Sequence, residues 1–87
     1  MTTVAIGTIR YWAAAHEAAG VAEEPYDAPN LDVALTTARL RHGPMFGRVL
    51  DRCSFVVDEA PVGLRSPQQV LLSEGGTIEV LPPFAGG

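Results

Sequence analysis

The stretch that decides the fold is Asn30-Leu31-Asp32-Val33-Ala34-Leu35-Thr36-Thr37-Ala38-Arg39-Leu40-Arg41-His42-Gly43-Pro44. Leu31, Ala34, Leu35 and Ala38 recur at the i, i+3, i+4, i+7 spacing of one buried helical face. Asn30 is a good N-cap, and Asp32 sits favourably in the positive first turn. Arg39, Arg41 and His42 suit the C-terminal turn, and Gly43-Pro44 stops the helix. Val33 and Leu40 lie on the opposite side and are expected to pack under the next segment. In that segment Met45, Phe46, Val49, Leu50 and Cys53 fall at helical spacing, with Gly47 as its weak point.

Outward from this helix the chain reads mostly as strand. Thr3 to Tyr11 is rich in β-branched and aromatic residues. Val4 and Ile6 share one face, whereas Ile9 and Tyr11 alternate in the opposite phase. Gly7 lies between, at a bulge or a close backbone approach. Trp12 to Ala19 switches to helix formers and ends at Gly20. Val21 to Tyr26 reads as a second strand, closed by Asp27-Ala28-Pro29. Beyond the main helix, Ser54-Phe55-Val56-Val57 reads as the clearest buried strand. Ala60-Pro61-Val62 is a poor or edge strand, because Pro61 cannot donate to a ladder. Gly63 to Gln69 is loop, Val70-Leu71-Leu72 returns apolar surface to the core, and Ser73-Glu74-Gly75-Gly76 is a turn. In Thr77-Ile78-Glu79-Val80-Leu81, Ile78 and Val80 point one way and Thr77, Glu79 and Leu81 the other. One amphipathic helix across a mixed sheet, with one or two short extra helices, is the economical two-layer solution at 87 residues. The fold class is therefore α+β.

Composition narrows the function. The formal net charge is −4 and the six basic residues are all arginine, without a cluster. That excludes the positive stripe a nucleic-acid surface needs. No apolar run is long enough to span a bilayer, and Met1-Thr2-Thr3 does not open a secretory pattern, so a cytoplasmic protein is expected. The single cysteine, Cys53, falls in phase with core residues and reads as a small core side chain. His16 and His42 read as surface or capping residues and have no ligand-like spacing with Cys53, which argues against a metal site. Glu23-Glu24 and Asp58-Glu59 read as solvated edges and turns. Gly75-Gly76 lacks the lysine and hydroxyl residue of a phosphate loop. No catalytic constellation is visible.

What remains is the end, Pro82-Pro83-Phe84-Ala85-Gly86-Gly87. Two prolines stop the last strand, and two glycines finish the chain without side chains. Residues 1–81 thus form the domain and 82–87 a flexible tail, which spans roughly 20 Å if extended at about 3.3 Å per residue. That ending resembles the ubiquitin-like sulfur carriers, and most of all the small subunit of molybdopterin synthase (the MoaD family). Ile9 to Ala15 with Gly20, Arg52 to Asp58, and Leu72 to Gly87 carry the resemblance. Asp58-Glu59 departs from it, standing where many relatives have an Asn- or Asp-Gly turn, and so does the added segment Met45 to Arg52.

The resemblance implies a ubiquitin-like β-grasp fold and a chain that is not catalytic by itself. It implies that an ATP-using, ubiquitin-activating-enzyme-like adenylyltransferase (MoeB-like) activates Gly87, with no cofactor bound to the domain. A persulfide donor then leaves a thiocarboxylate. The tail would enter the large subunit of molybdopterin synthase (MoaE-like) in a heterotetramer and donate sulfur to the dithiolene of molybdopterin. Gly86 would keep the tip narrow, and Pro82 and Pro83 would limit the entropy lost on docking. Leu81, Phe84 and Ala85 complete the partner-binding set, with Phe84 docking either on a partner or on its own core. Two readings share the Gly-Gly ending: a carrier for thiamine or cysteine synthesis, and a protein modifier joined through Gly87 to lysines. A plain binding module is the remaining alternative.

Overall fold

A computed structural model of the chain describes residues 4–83. They form β1 (Ala5–Tyr11), α1 (Ala13–Ala19), β2 (Glu23–Ala28), α2 (Leu31–His42), α3 (Pro44–Leu50), β3 (Ser54–Val57), β4 (Ala60–Pro61), a 3₁₀ turn (Pro67–Gln69) and β5 (Thr77–Leu81). Helix α2 starts as its sequence dictates. The Asn30 Oδ1 accepts from the Val33 N–H at 2.9 Å, and Leu31, Ala34, Leu35 and Ala38 are all buried. Gly43 ends it in the left-handed region at φ 92°, and Pro44 opens α3 at once.

That abrupt turn corrects one expectation. Arg39 reaches the Gly47 carbonyl at 3.1 Å and Asp51 at 2.6 Å, while the His42 and Phe46 rings lie 4.9 Å apart. Helix α3 is thus fastened along the Arg39–His42 side of α2. Leu40 is left uncovered at 83% exposure and Val33 is also exposed. Within α3 the buried residues are Phe46, Gly47 and Leu50, whereas Met45 faces solvent.

The sheet runs β2-β1-β5-β3-β4, with β1 and β5 parallel and the other pairs antiparallel. With α2 across one face, this is the ubiquitin-like β-grasp. The β1–β2 register is unbroken from Ala5↔Ala28 to Arg10↔Glu23, so Gly7 marks no bulge and no change of phase. Ala5, Ile9 and Tyr11 point inward; Val4 and Ile6 stay outside at 51% and 54% exposure. The other reading of Gly7, close approach, is the observed one: a Cβ there would overlap the Tyr26 ring and the Gly76 carbonyl. Gly7→Ala is therefore expected to destabilise the domain by about 3 kcal/mol, read from the midpoint of urea unfolding.

Strand β3 is less buried than expected. Only Val57 is fully enclosed, while Ser54 is exposed and Phe55 and Val56 are half-buried. The helices cover one face only, and the neighbour on the edge side, β4, is two residues long. In the β3–β4 hairpin both Asp58 (φ 50°) and Glu59 (φ 69°) are left-handed, as a type I′ turn requires. Neither is glycine, but the Asp58 carboxylate accepts from the Thr77 N–H at 2.8 Å and ties the turn to β5. Of Val70-Leu71-Leu72, the first and last enter the core and Leu71 does not. Val70 accepts from the Leu31 N–H at 2.9 Å, and Leu72 donates to the Pro29 carbonyl at 3.1 Å, clamping the start of α2.

Candidate functional site at the exit of the last strand

Strand β5 is the third of five, so the chain end leaves from the middle of the sheet. Ile78 and Val80 are fully buried, with the alternation the sequence predicts. Leu81 pairs with Ser54 across β3; Leu81 and Pro82 are half-buried and Pro83 is exposed. Phe84, Ala85, Gly86 and Gly87, named above as the docking and reacting residues, lie outside the described residues.

Around the exit the outer sheet face carries a set of side chains that sequence reasoning missed. Trp12 is the extended residue before α1; its N–H donates to the Val80 carbonyl at 3.2 Å and its indole Nε1 donates to Glu79 at 3.3 Å. The Arg10 guanidinium stands 5.3 Å from the Trp12 ring centroid, and Arg10 pairs with Glu23 at 3.9 Å. Val4 and Ile6 at one end of β1, half-exposed Trp12 at the other, and Leu81 with Val56 give an apolar and aromatic face interrupted by Arg10 and Glu79. Strict alternation along β1 carried the signal for Val4 and Ile6. Trp12 was hidden because its sequence neighbours are helix formers.

A second arrangement lies under the sheet edge. Glu24 Oε2 accepts from the Tyr11 hydroxyl at 2.5 Å and sits 2.7 Å from His42 Nε2; its other oxygen is 3.1 Å from Arg41. The Glu24 and His42 side chains are each only 11% exposed. His42 is therefore enclosed, edge-on to Tyr11 and tilted against Phe46, rather than the surface or capping residue expected. Nor is Glu24 a solvated edge, because β2 turns it towards the end of α2. Burial pushes its carboxyl up, but hydrogen bonds from Tyr11, His42 and Arg41 together outweigh this and hold it below the usual glutamate range. Burial, followed by the bond to Glu24, drives the Tyr11 phenol well above its ordinary value.

Cys53 behaves as its phase predicts. It is half-buried against the core, its Sγ donates to the Val49 carbonyl at 3.2 Å, and burial pushes the thiol up. Cys53→Ser is expected to shift stability by about 1 kcal/mol or less and, if the tail carries sulfur as the resemblance implies, to leave that transfer unchanged. Loss of transfer by a normally folded variant would give the thiol a role it lacks here. No group of three metal-ligating side chains occurs among the described residues, and no helix among them is long and apolar enough to cross a membrane.

A ubiquitin-like β-grasp domain that feeds a glycine-ending segment from its central strand is thus what the chain presents. No protein-family profile and no curated protein match it. Solved structures do. The small archaeal modifier protein 1 (SAMP1) of Methanosarcina acetivorans superposes with a TM-score of 0.83 at 19% identity, covering 98% of this chain and 99% of that one. SAMP1 of Haloferax volcanii gives 0.77 at 18%, covering 94% and 99%. A Pyrococcus furiosus protein described as molybdopterin converting factor, subunit 1, gives 0.74 at 20%, covering 92% and 99%. At such identities the likeness is one of fold, over essentially whole chains.

Proposed function

We propose that the protein is a sulfur carrier that works through the carboxyl group of Gly87. The observation that carries this reading is the position of β5: the sheet's central strand ends at Leu81 beside an apolar, aromatic face, and the sequence that follows it is Pro-Pro-Phe-Ala-Gly-Gly. A carboxylate is a poor acyl donor. An adenylating partner uses ATP to form the Gly87 acyl-adenylate. A persulfide sulfur then attacks the carbonyl, AMP leaves with the broken C–O bond, and thiol exchange at the S–S bond frees the thiocarboxylate. The domain's part is mechanical and electrostatic: it fixes where the tail starts and offers Leu81, Pro82, Pro83 and the Trp12 face for docking. The sulfur is destined for the dithiolene of molybdopterin, with a MoaE-like large subunit as acceptor and a MoeB-like activator. The Pro-Pro-Phe context and the likeness to the Pyrococcus protein support that pathway.

The likeness to two proteins named as modifiers favours one second reading, in which Gly87 is joined to lysines of other proteins. Co-purification followed by intact-mass measurement separates the two. A carrier is recovered with one oxygen replaced by sulfur at its end and with an adenylating partner or an acceptor subunit. A chain found only as an unmodified carboxylate, together with lysine-linked higher-mass adducts, would overturn the carrier reading.

A further inference from the structure

We infer that the chain is an acyl donor with no side-chain amine of its own, so that no side chain of the domain captures its activated end as a lasting amide. The inference rests on Gly87 being the reacting end.

An activated carboxyl is consumed irreversibly by an amine. The C–N bond forms, the C–O bond to AMP (or the C–S bond of a thioester) breaks, and the amine's proton goes to solvent. A lysine near the tail would therefore be a permanent sink. The 87 residues contain none: all six basic side chains are arginine. A guanidinium keeps its proton and has no free electron pair to offer.

Position makes this matter. Leu81 and Ser54 are paired, and Arg52 is two residues from Ser54, exposed, in the turn between α3 and β3. Paired Cα atoms lie about 5 Å apart and each further residue adds at most about 3.8 Å, so Arg52 starts within about 13 Å of Leu81. Six residues from Pro82 to Gly87 span roughly 20 Å, which exceeds that separation. A lysine at 52 would be within the tail's own reach.

Among the described residues, the thiol, the two phenols and the enclosed imidazole are muted by the fold. Cys53 is next to the exit but half-buried, its Sγ bonded to Val49. The Tyr11 hydroxyl is held by Glu24 and the Tyr26 hydroxyl by the Ser73 carbonyl at 2.6 Å. His42 is enclosed beside Glu24. Ser54 is exposed, but among the described residues no base bonds to its hydroxyl, and an unassisted serine is a weak nucleophile. His16 is exposed, yet an acyl-imidazole hydrolyses back to the carboxylate. As a carrier, the chain avoids dead-end cyclisation onto a side-chain amine. As a modifier, it would add singly and build no side-chain-linked chains on itself.

The test uses the full chain carrying a mercaptoethanesulfonate thioester at Gly87, with Arg52→Lys alongside, each incubated at mildly alkaline pH and mapped by peptide mass. Added Nα-acetyl-lysine shows that both thioesters react with amines. Wild type is expected to yield free acid and any α-amine product, with no side-chain-linked amide. Arg52→Lys is expected to form an internal amide between Gly87 and position 52. A short flexible tether gives about millimolar effective concentration, so at about 10 µM protein this should exceed intermolecular amide by about a hundredfold. Ser54→Lys, at an exposed position paired directly with Leu81, serves as a second variant if Arg52→Lys does not fold. Side-chain-linked amide in the wild type, or none in a folded lysine variant, would overturn the inference. The thioester is made chemically, so this result is independent of whether cells thiocarboxylate Gly87, and either reading can fail without the other.

Discussion

On the proposed carrier function, removing Gly87, or adding one residue after it, is expected to abolish sulfur transfer and to leave the thermal unfolding of the domain unchanged. Either change moves the reacting carbonyl along the chain by one residue, about 3.5 Å. A misplacement of about 1 Å can cost about a hundredfold in rate, so a whole residue should reduce transfer by at least that factor. Stability should hold because the change falls on a residue without a side chain, four positions beyond Pro83, which is already exposed. The measurement is thiocarboxylate formation by intact mass in an extract containing the activating partner, followed by sulfur delivery to the acceptor. Wild-type transfer by either variant would remove Gly87 from the mechanism.

The second large effect concerns Glu24. Replacing it with alanine strips the acceptor from Tyr11, from His42 and from Arg41 in one step. Two of those groups are well enclosed, and a polar group left without its partner in such a place is costly. Glu24→Ala is expected to destabilise the domain by about 3 kcal/mol, with Glu24→Gln losing less because its amide oxygen still accepts. The pH dependence has a definite sign. The folded Glu24 carboxyl lies below its ordinary value of 4.5, so the folded state binds that proton less readily than the unfolded chain. Its contribution is complete above that ordinary value and declines as pH falls through the lower folded one. Unfolding midpoints between pH 7 and pH 2.5 should therefore converge for wild type and Glu24→Gln at the acid end. A constant gap across the whole range would contradict the assignment.

Most of the elements could be read from residues close together in sequence. Asn30 as N-cap, Gly20 and Gly43 as stops, the buried stripe of α2 and the alternation of β5 are decided within a turn or two of the chain, and all are found. What was misread depends on contacts between distant elements. His42 looks like a helix-end residue until β1 and β2 bring Tyr11 and Glu24 to it. Leu40 looks like a contact for the next segment until Gly43 swings α3 to the Arg39 side. Val4 and Ile6 were put on a switched face because Gly7 invites a bulge, when its cause is the Tyr26 ring above it. The candidate site divides the same way. The reading of the tail rests on consecutive residues that lie mostly beyond the described ones, whereas the Trp12 face exists only because β1 runs parallel to β5 from the opposite end of the sequence.

That parallel pairing also sets how the molecule responds to being pulled. Force on the chain beyond Pro83 would pass into β5, and β5 lies between β1 on one side and β3 on the other. Tension applied between the two ends of the chain acts along the parallel β1–β5 pair, so its ladder bonds are loaded together in shear instead of opening one at a time. Flanking contacts such as Trp12 to Val80 and Thr8 to Gly76 share the load at either end of that pair. A load between the chain ends would thus meet the β1–β5 ladder as a unit in shear, rather than peel β5 out of the sheet one bond at a time.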